Sequence, residues 1–171
     1  MRTQFRAPWD VLLVIVTTLI VGLLLGMLYL LPSQSIIPSI ITWGIILICA
    51  AYGVYGYSIQ NGQLRILRLG WSKDISLSDI KNIEYKPNAM IGSVRLWGIG
   101  GLFGYIGYFK NRILSNYKAY ATHRRKTVVI TTNKNDQIVV TPDNPEEFVQ
   151  SLKSAAKNSS ITMWLKADTP Q

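Results

Sequence analysis

Cysteine and histidine are almost absent from this 171-residue chain, which has one of each, Cys49 and His123. An internal disulfide is therefore excluded, and so is a metal cluster built on cysteine and histidine. No GxSxG, HExxH or Gly-Lys-Ser/Thr phosphate loop occurs, so the common hydrolase, zinc-protease and P-loop chemistries have no carrier. Charge is missing in two places. Residues 11 to 57 hold no Lys, Arg, Asp or Glu, and no acidic residue occurs between Glu84 and Asp136.

The first gap is apolar throughout. Residues 11–31 as a helix are about 32 Å long, enough for a bilayer core of about 30 Å. Residues 36–57 form a second candidate span, with Pro38 in its first turn, where a missing N–H costs little. Trp9, Tyr29, Tyr52, Tyr55 and Tyr57 lie near the span ends, where interfacial aromatics belong. A cleaved signal peptide is the competing reading, but its apolar core is usually about 7–15 residues. The expectation is a transmembrane hairpin over 11–57, closed by the uncharged Pro32-Ser33-Gln34-Ser35. Arg2 and Arg6 precede it and Arg65, Arg68 and Lys73 follow it, which places both termini in the cytoplasm. Residues 1–10 are then a cytoplasmic N-terminus. Gly22 and Gly26 form a GxxxG pair suited to packing on the second helix or on another copy, although glycine is also simply common in such helices.

The second gap holds nine basic residues: Lys86, Arg95, Lys110, Arg112, Lys118, Arg124, Arg125, Lys126 and Lys134. The whole chain carries a net charge of +9, and such asymmetry predicts an anionic partner. Nucleic acid is not expected, because His123-Arg124-Arg125-Lys126 reads as a solvated hairpin tip without a reading helix or stacking face.

The rest reads as β structure. Asn61-Gly62 between alternating runs is a type I′ hairpin signal. Further strands are expected over 71–76, 80–86, 117–122, 126–132 and 136–141. A closing helix follows, with Asn144 as N-cap, Pro145 at its first position, and Phe148, Val149 and Leu152 as an apolar stripe. Residues 158–171 read as a flexible tail.

Three stretches carry a resemblance: YSIQNGQLRILRLGWSKDISLSDIKNIEYK, the block at 95–110, and KAYATHRRKTVVITTNKNDQIVVTPDNPEEFVQSLK. Over about residues 57–153 the chain resembles a membrane-anchored bacterial pleckstrin homology-like (PH-like) domain. The resemblance implies a domain over 57–157 with seven strands in a bent antiparallel barrel, plugged by a C-terminal helix. It implies a binding or assembly module of the bacterial inner membrane, without chemistry or cofactor.

The block RLWGIGGLFGYIGYFK is the open question. It is charge-free only from 96 to 109 and holds five glycines, so a third span is not expected. Gly98-Ile99-Gly100 lacks the third glycine of a dinucleotide loop, since residue 103 is Phe103. A flexible loop or hairpin fits. Trp97, Phe103, Tyr105, Tyr108 and Phe109 either fill the barrel or lie on lipid headgroups. The candidate membrane or partner surface is Arg95, Trp97, Phe103, Tyr105, Tyr108, Lys110, Arg112, Lys118, Arg124, Arg125 and Lys126. The partners expected are the bilayer, anionic headgroups, and a protein or second copy. An accessory role in a transporter or envelope-stress complex, and a homo-oligomeric assembly, are the alternatives.

Overall fold

The computed structural model describes residues 3–30 and 36–167, with side chains as far as residue 157. A short strand, β1 (Gln4–Arg6), precedes two helices, α1 (Val11–Leu30) and α2 (Ile36–Tyr52). Four strands follow: β2 (Val54–Gln60), β3 (Gln63–Arg68), β4 (Ser72–Ser76) and, after a 3-10 turn at Leu77–Asp79, β5 (Ile80–Tyr85). Then come β6 (Val94–Gly100), β7 (Tyr105–Asn111), β8 (Ser115–Ala121), β9 (Val128–Thr132) and β10 (Gln137–Val140), and the chain closes with α3 (Pro145–Ala167).

The strands make two sheets, β1-β2-β3-β4 and β5-β9-β10-β8-β7-β6. Pairing is antiparallel except between β8 and β10, because β10 inserts between β8 and its successor β9. The expected count of seven strands is too low. The glycine block is itself the hairpin β6–β7, which extends the second sheet, and the N-terminus adds β1 to the first.

Local signals are met where they were strong. Asn61 and Gly62 take φ of 53° and 70°, the left-handed pair a type I′ turn requires. The Asn144 carboxamide accepts the Glu147 N–H and donates to the Glu147 carboxylate (3.4 and 3.1 Å), a reciprocal cap. The backbone of α3 runs on to Ala167 rather than fraying at 158, as suits a stretch with no Gly or Pro from 146 to 169; residues 168–171 lie outside the described residues.

Three boundaries differ from expectation. First, α2 stops at Tyr52 and residues 54–57 belong to β2. The run Val54-Tyr55-Gly56-Tyr57 is apolar whether helical or extended, and periodicity cannot separate the two. Tyr57 is accordingly no interfacial aromatic. It is fully buried, its hydroxyl donates to the Tyr120 carbonyl at 2.7 Å, and burial pushes its pKa up to about 12. Second, α1 is the one described helix long and apolar enough to cross a membrane; α2, at 17 residues, is shorter. Third, residues 3–10 are no separate tail. β1 pairs with β2, and Phe5 enters the core edge-on to Phe148 at 5.1 Å.

One core lies between the sheets and α3, and includes Phe5, Tyr57, Leu64, Ile66, Ile130, Phe148 and Leu152. A second covers the opposite face of the larger sheet and includes Leu13 of α1 with Met90, Tyr105, Phe109 and Tyr117. Helix α1 thus shares a core with the β domain.

Inside β6–β7, Gly98 and Gly107 stand opposite each other, with φ of 109° and 132°. A Cβ on Gly107 would meet the Trp97 carbonyl oxygen at 2.2 Å. Only glycine permits that approach together with that backbone. Gly107→Ala is expected to destabilise the hairpin by about 1–3 kcal/mol, read as lost amide-exchange protection across β6–β7. Gly92→Asn, at a positive φ in open space, should leave that protection unchanged.

Candidate functional site

The site begins at the junction between α1 and the sheet. Asp10 ends the incoming loop and is nearly buried. Its carboxylate accepts the Leu13 N–H at 2.6 Å, which makes it the N-cap of α1. The same carboxylate accepts the backbone N–H and Nε–H of Arg124 (3.1 and 3.4 Å) and the Tyr105 hydroxyl (3.5 Å). Alongside, the Asp10 N–H donates to the Thr122 carbonyl, and the Thr122 hydroxyl donates to the Pro8 carbonyl. Burial and then the Asp10 charge raise the Tyr105 pKa to about 12, so this phenol stays a donor.

One and a half turns along α1, buried Thr17 makes a second tie. Its hydroxyl donates to the Gly101 carbonyl and accepts the Phe103 N–H, both at 3.2 Å. Gly101 has φ of 111°, and a Cβ there would lie 3.2 Å from Val16. Phe103, at a φ of 58°, is half-buried and packs edge-on to Trp9 at 6.0 Å. The glycine turn therefore rests directly on α1.

The residues predicted as one surface divide between the two faces of β7–β8, because side chains alternate along a strand. Tyr105 lies on the α1 face with Phe109 and Tyr117, all buried. Tyr108 and Lys118 are paired on the opposite face, with the ammonium 5.1 Å from the Tyr108 ring centroid. Trp97 pairs with Tyr108 and is 78% exposed. Arg95 sits at a bulge on the edge strand, and its Nη1 donates to the Gly98 carbonyl at 3.2 Å. Lys110, Arg112, Arg125 and Lys126 are exposed, whereas Arg124 is committed to Asp10. Gly22 and Gly26 have nothing within 4 Å of a built Cβ, so they do not mediate packing of α1 on α2 within this chain.

Sequence reading missed Asp10, Thr17 and Arg68. An Asp immediately before an apolar run is an N-cap signal and could have been found. The partners of Thr17 and Arg68 are far away in sequence and leave no local trace. His123, next to the Arg124 that Asp10 holds, also lies within electrostatic reach of the Asp10 carboxylate. His123 Nδ1 accepts the N–H groups of Arg125 and Lys126 (3.2 and 3.4 Å). Burial lowers its pKa; Asp10 opposes that, and Lys126, Arg125 and Arg124 reinforce it.

Two outcomes follow. Asp10→Ala removes a cap worth about 1 kcal/mol and charged hydrogen bonds worth about 1.5–3 kcal/mol. Exchange of the Leu13 and Arg124 amides should accelerate roughly 30-fold or more. For His123, the folded pKa lies below the ordinary 6.5, so the unfolded chain binds more protons as pH falls. The stability this neutral imidazole contributes is present above pH 6.5 and declines as the pH drops below it. An NMR titration should place its midpoint below 6.5, with the protection factors of the 122–127 amides, corrected for intrinsic exchange, falling on acidification.

The fold described here has a counterpart among known families. The family model described as "Bacterial PH domain" matches residues 55–156. That range begins one residue into β2, spans both sheets except β1, and ends within α3. No curated protein and no solved structure matches the chain. With well over half of its length matched, the chain belongs to the bacterial PH domain family.

Proposed function

We propose that this protein is a non-enzymatic, membrane-anchored binding module. In this reading α1 and α2 cross the inner membrane as a hairpin with both termini cytoplasmic. The PH domain is pressed against the inner leaflet, where it binds a protein partner, a second copy or the lipid surface. Family membership supports a binding module, and the apolar α1 supports anchoring.

The observation that carries the reading is the tie between Thr17 and the glycine turn. A crossing of about 30 Å needs about 20 helical residues, which is all of α1. Thr17 lies about 9 Å along the axis from Val11 at 1.5 Å per residue. A turn bonded to Thr17 is thereby carried past the headgroups, a zone of about 5–8 Å on each side. Its composition suits that depth, since residues 96–109 carry no charge. Trp9, Tyr52, Trp71 and Trp97 ring the cytoplasmic ends of the helices, with Trp71 edge-on to Tyr52 at 5.0 Å. The exposed cations Arg125 and Lys126, in the turn that Asp10 holds beside the start of α1, then face an anionic leaflet, each contributing about 1 kcal/mol within a Debye length. With the helices already anchoring the chain, this charge orients the domain rather than recruits it.

An accessory role beside a transporter or envelope-stress complex is the second reading, favoured by the extensive exposed apolar surface of α1 and α2. Loss of partner capture on swapping the two helices, but not on altering the domain, would select it.

The membrane-dipping turn is tested by fluorescence in vesicles whose lipids carry bromine high on the acyl chain. Emission from Trp97, taken as the difference between wild type and Trp97→Phe, should be strongly quenched. Quenching equal to that of a water-exposed tryptophan would remove the leaflet-facing orientation.

A further inference from the structure

A groove of about 450 Å³ runs between the last turns of α2 and the face of the β6–β8 sheet opposite α1. Its walls are apolar and aromatic, with Ile48 of α2 on one side and Trp97, Ile99 and Ile106 on the other. Two cations enter it. The Arg68 guanidinium lies 5.1 Å from the Tyr120 ring centroid and 5.8 Å from that of Tyr52. The Lys118 ammonium lies 5.6 Å from Tyr120 and 5.1 Å from Tyr108. Among the described residues, no acidic side chain lines the groove. Asp136 lines a neighbouring cavity that Lys118 also reaches, but makes no ion pair with it among the described residues.

The Arg68 guanidinium and the Lys118 ammonium lie against aromatic rings with no carboxylate among the described residues of the groove; Tyr120 and Tyr108 favour the Lys118 charge, which leaves Arg68 as the cation an anion would complete. Cation–π contacts stabilise the charge but do not satisfy N–H donors. Arg68 Nε is buried and has no acceptor among the described residues, an omission that ordinarily costs stability. The occupant that removes this cost must be anionic at one end. It must also be apolar along the rest, to cover Ile48, Ile99 and Ile106.

Position narrows the class further. Ile48 and Cys49 stand one turn before the end of α2, and the opposite wall belongs to the hairpin whose turn rests on Thr17. With α2 in the bilayer, the groove sits at the headgroup boundary and its apolar end is level with the acyl chains. A lipid can enter sideways without leaving the leaflet. We propose that this groove, built jointly by the anchor helix and the PH sheet, binds one anionic phospholipid. Its phosphate is taken by Arg68 and Lys118, and one acyl chain lies along Ile48, Ile99 and Ile106. The domain thereby reads the charge of the leaflet that carries it. The inference rests on the membrane-anchored reading above.

The test uses the full chain in mild detergent with equimolar phosphatidylglycerol and phosphatidylcholine, and native mass spectrometry as the readout. One retained phosphatidylglycerol per chain is expected, favoured at least tenfold over phosphatidylcholine. That preference should fall to near unity in Arg68→Gln/Lys118→Gln. Lys118→Gln alone, which leaves the Arg68 stacking in place, should lose part of it. Equal retention of the two lipids by wild type overturns the site without touching the anchored reading. So does a preference unchanged in the double variant. Displacement by soluble glycerol phosphate at the lipid's own concentration would assign the cations to a free phosphate and overturn the lipid. A chain that fails to float with vesicles removes the anchored reading, and the lipid site with it.

Discussion

Four donors converge on the carboxylate of Asp10, and the arrangement of helix and sheet depends on that convergence. The Leu13 amide comes from the helix; the Arg124 amide, the Arg124 guanidinium and the Tyr105 hydroxyl come from the β domain. One nearly buried acid thus starts α1 and fastens it to the larger sheet. A buried carboxylate is tolerated only when its acceptor capacity is filled, and here the donors fill it from both sides of the joint. Weakening any of them loosens the cap and the weld together. Thr17 repeats the design further along the helix, donating to one backbone group of the glycine turn and accepting from another.

These ties give the glycine-aromatic block its meaning. It is a β-hairpin whose strands approach so closely at Gly98 and Gly107 that neither position admits a side chain. Its turn fits against α1 because Gly101 has none either. The aromatics are divided by strand alternation. Tyr105 and Phe109 fill the core shared with Leu13, while Trp97 and Tyr108 face the groove beside α2. Core filling therefore describes Tyr105 and Phe109, whereas Trp97 and Tyr108 stand outside that core on the groove side.

What could be read from sequence was local. Asn61-Gly62 dictates its own turn, Asn144-Pro145 its own helix start, and the runs around Val128 and Ile138 their own strands, because the determining contacts lie within a few residues. What was missed, the Asp10 cap apart, was non-local. Gln4–Arg6 is too short to announce a strand and becomes one only because β2 offers an edge. Val54–Tyr57 is apolar in either conformation, and the sheet decides which. The eleven-residue candidate surface was grouped by composition, and composition is blind to which face of a strand a residue occupies. Arg124 illustrates the loss, being a basic residue whose charge is spent on Asp10 rather than offered to a partner.

Helix α1 and the PH domain form one body, so that a bilayer holding the helix, as proposed above, would also fix the attitude of the PH sheet. Electron–electron distance measurement tests this most directly. Spin labels would be placed at Leu23 in α1 and Lys81 in β5, on a chain with Cys49→Ser, reconstituted in nanodiscs. A single narrow distance distribution, only a few ångströms wide, is expected. A broad distribution, as for a domain swinging on its tether, would contradict it.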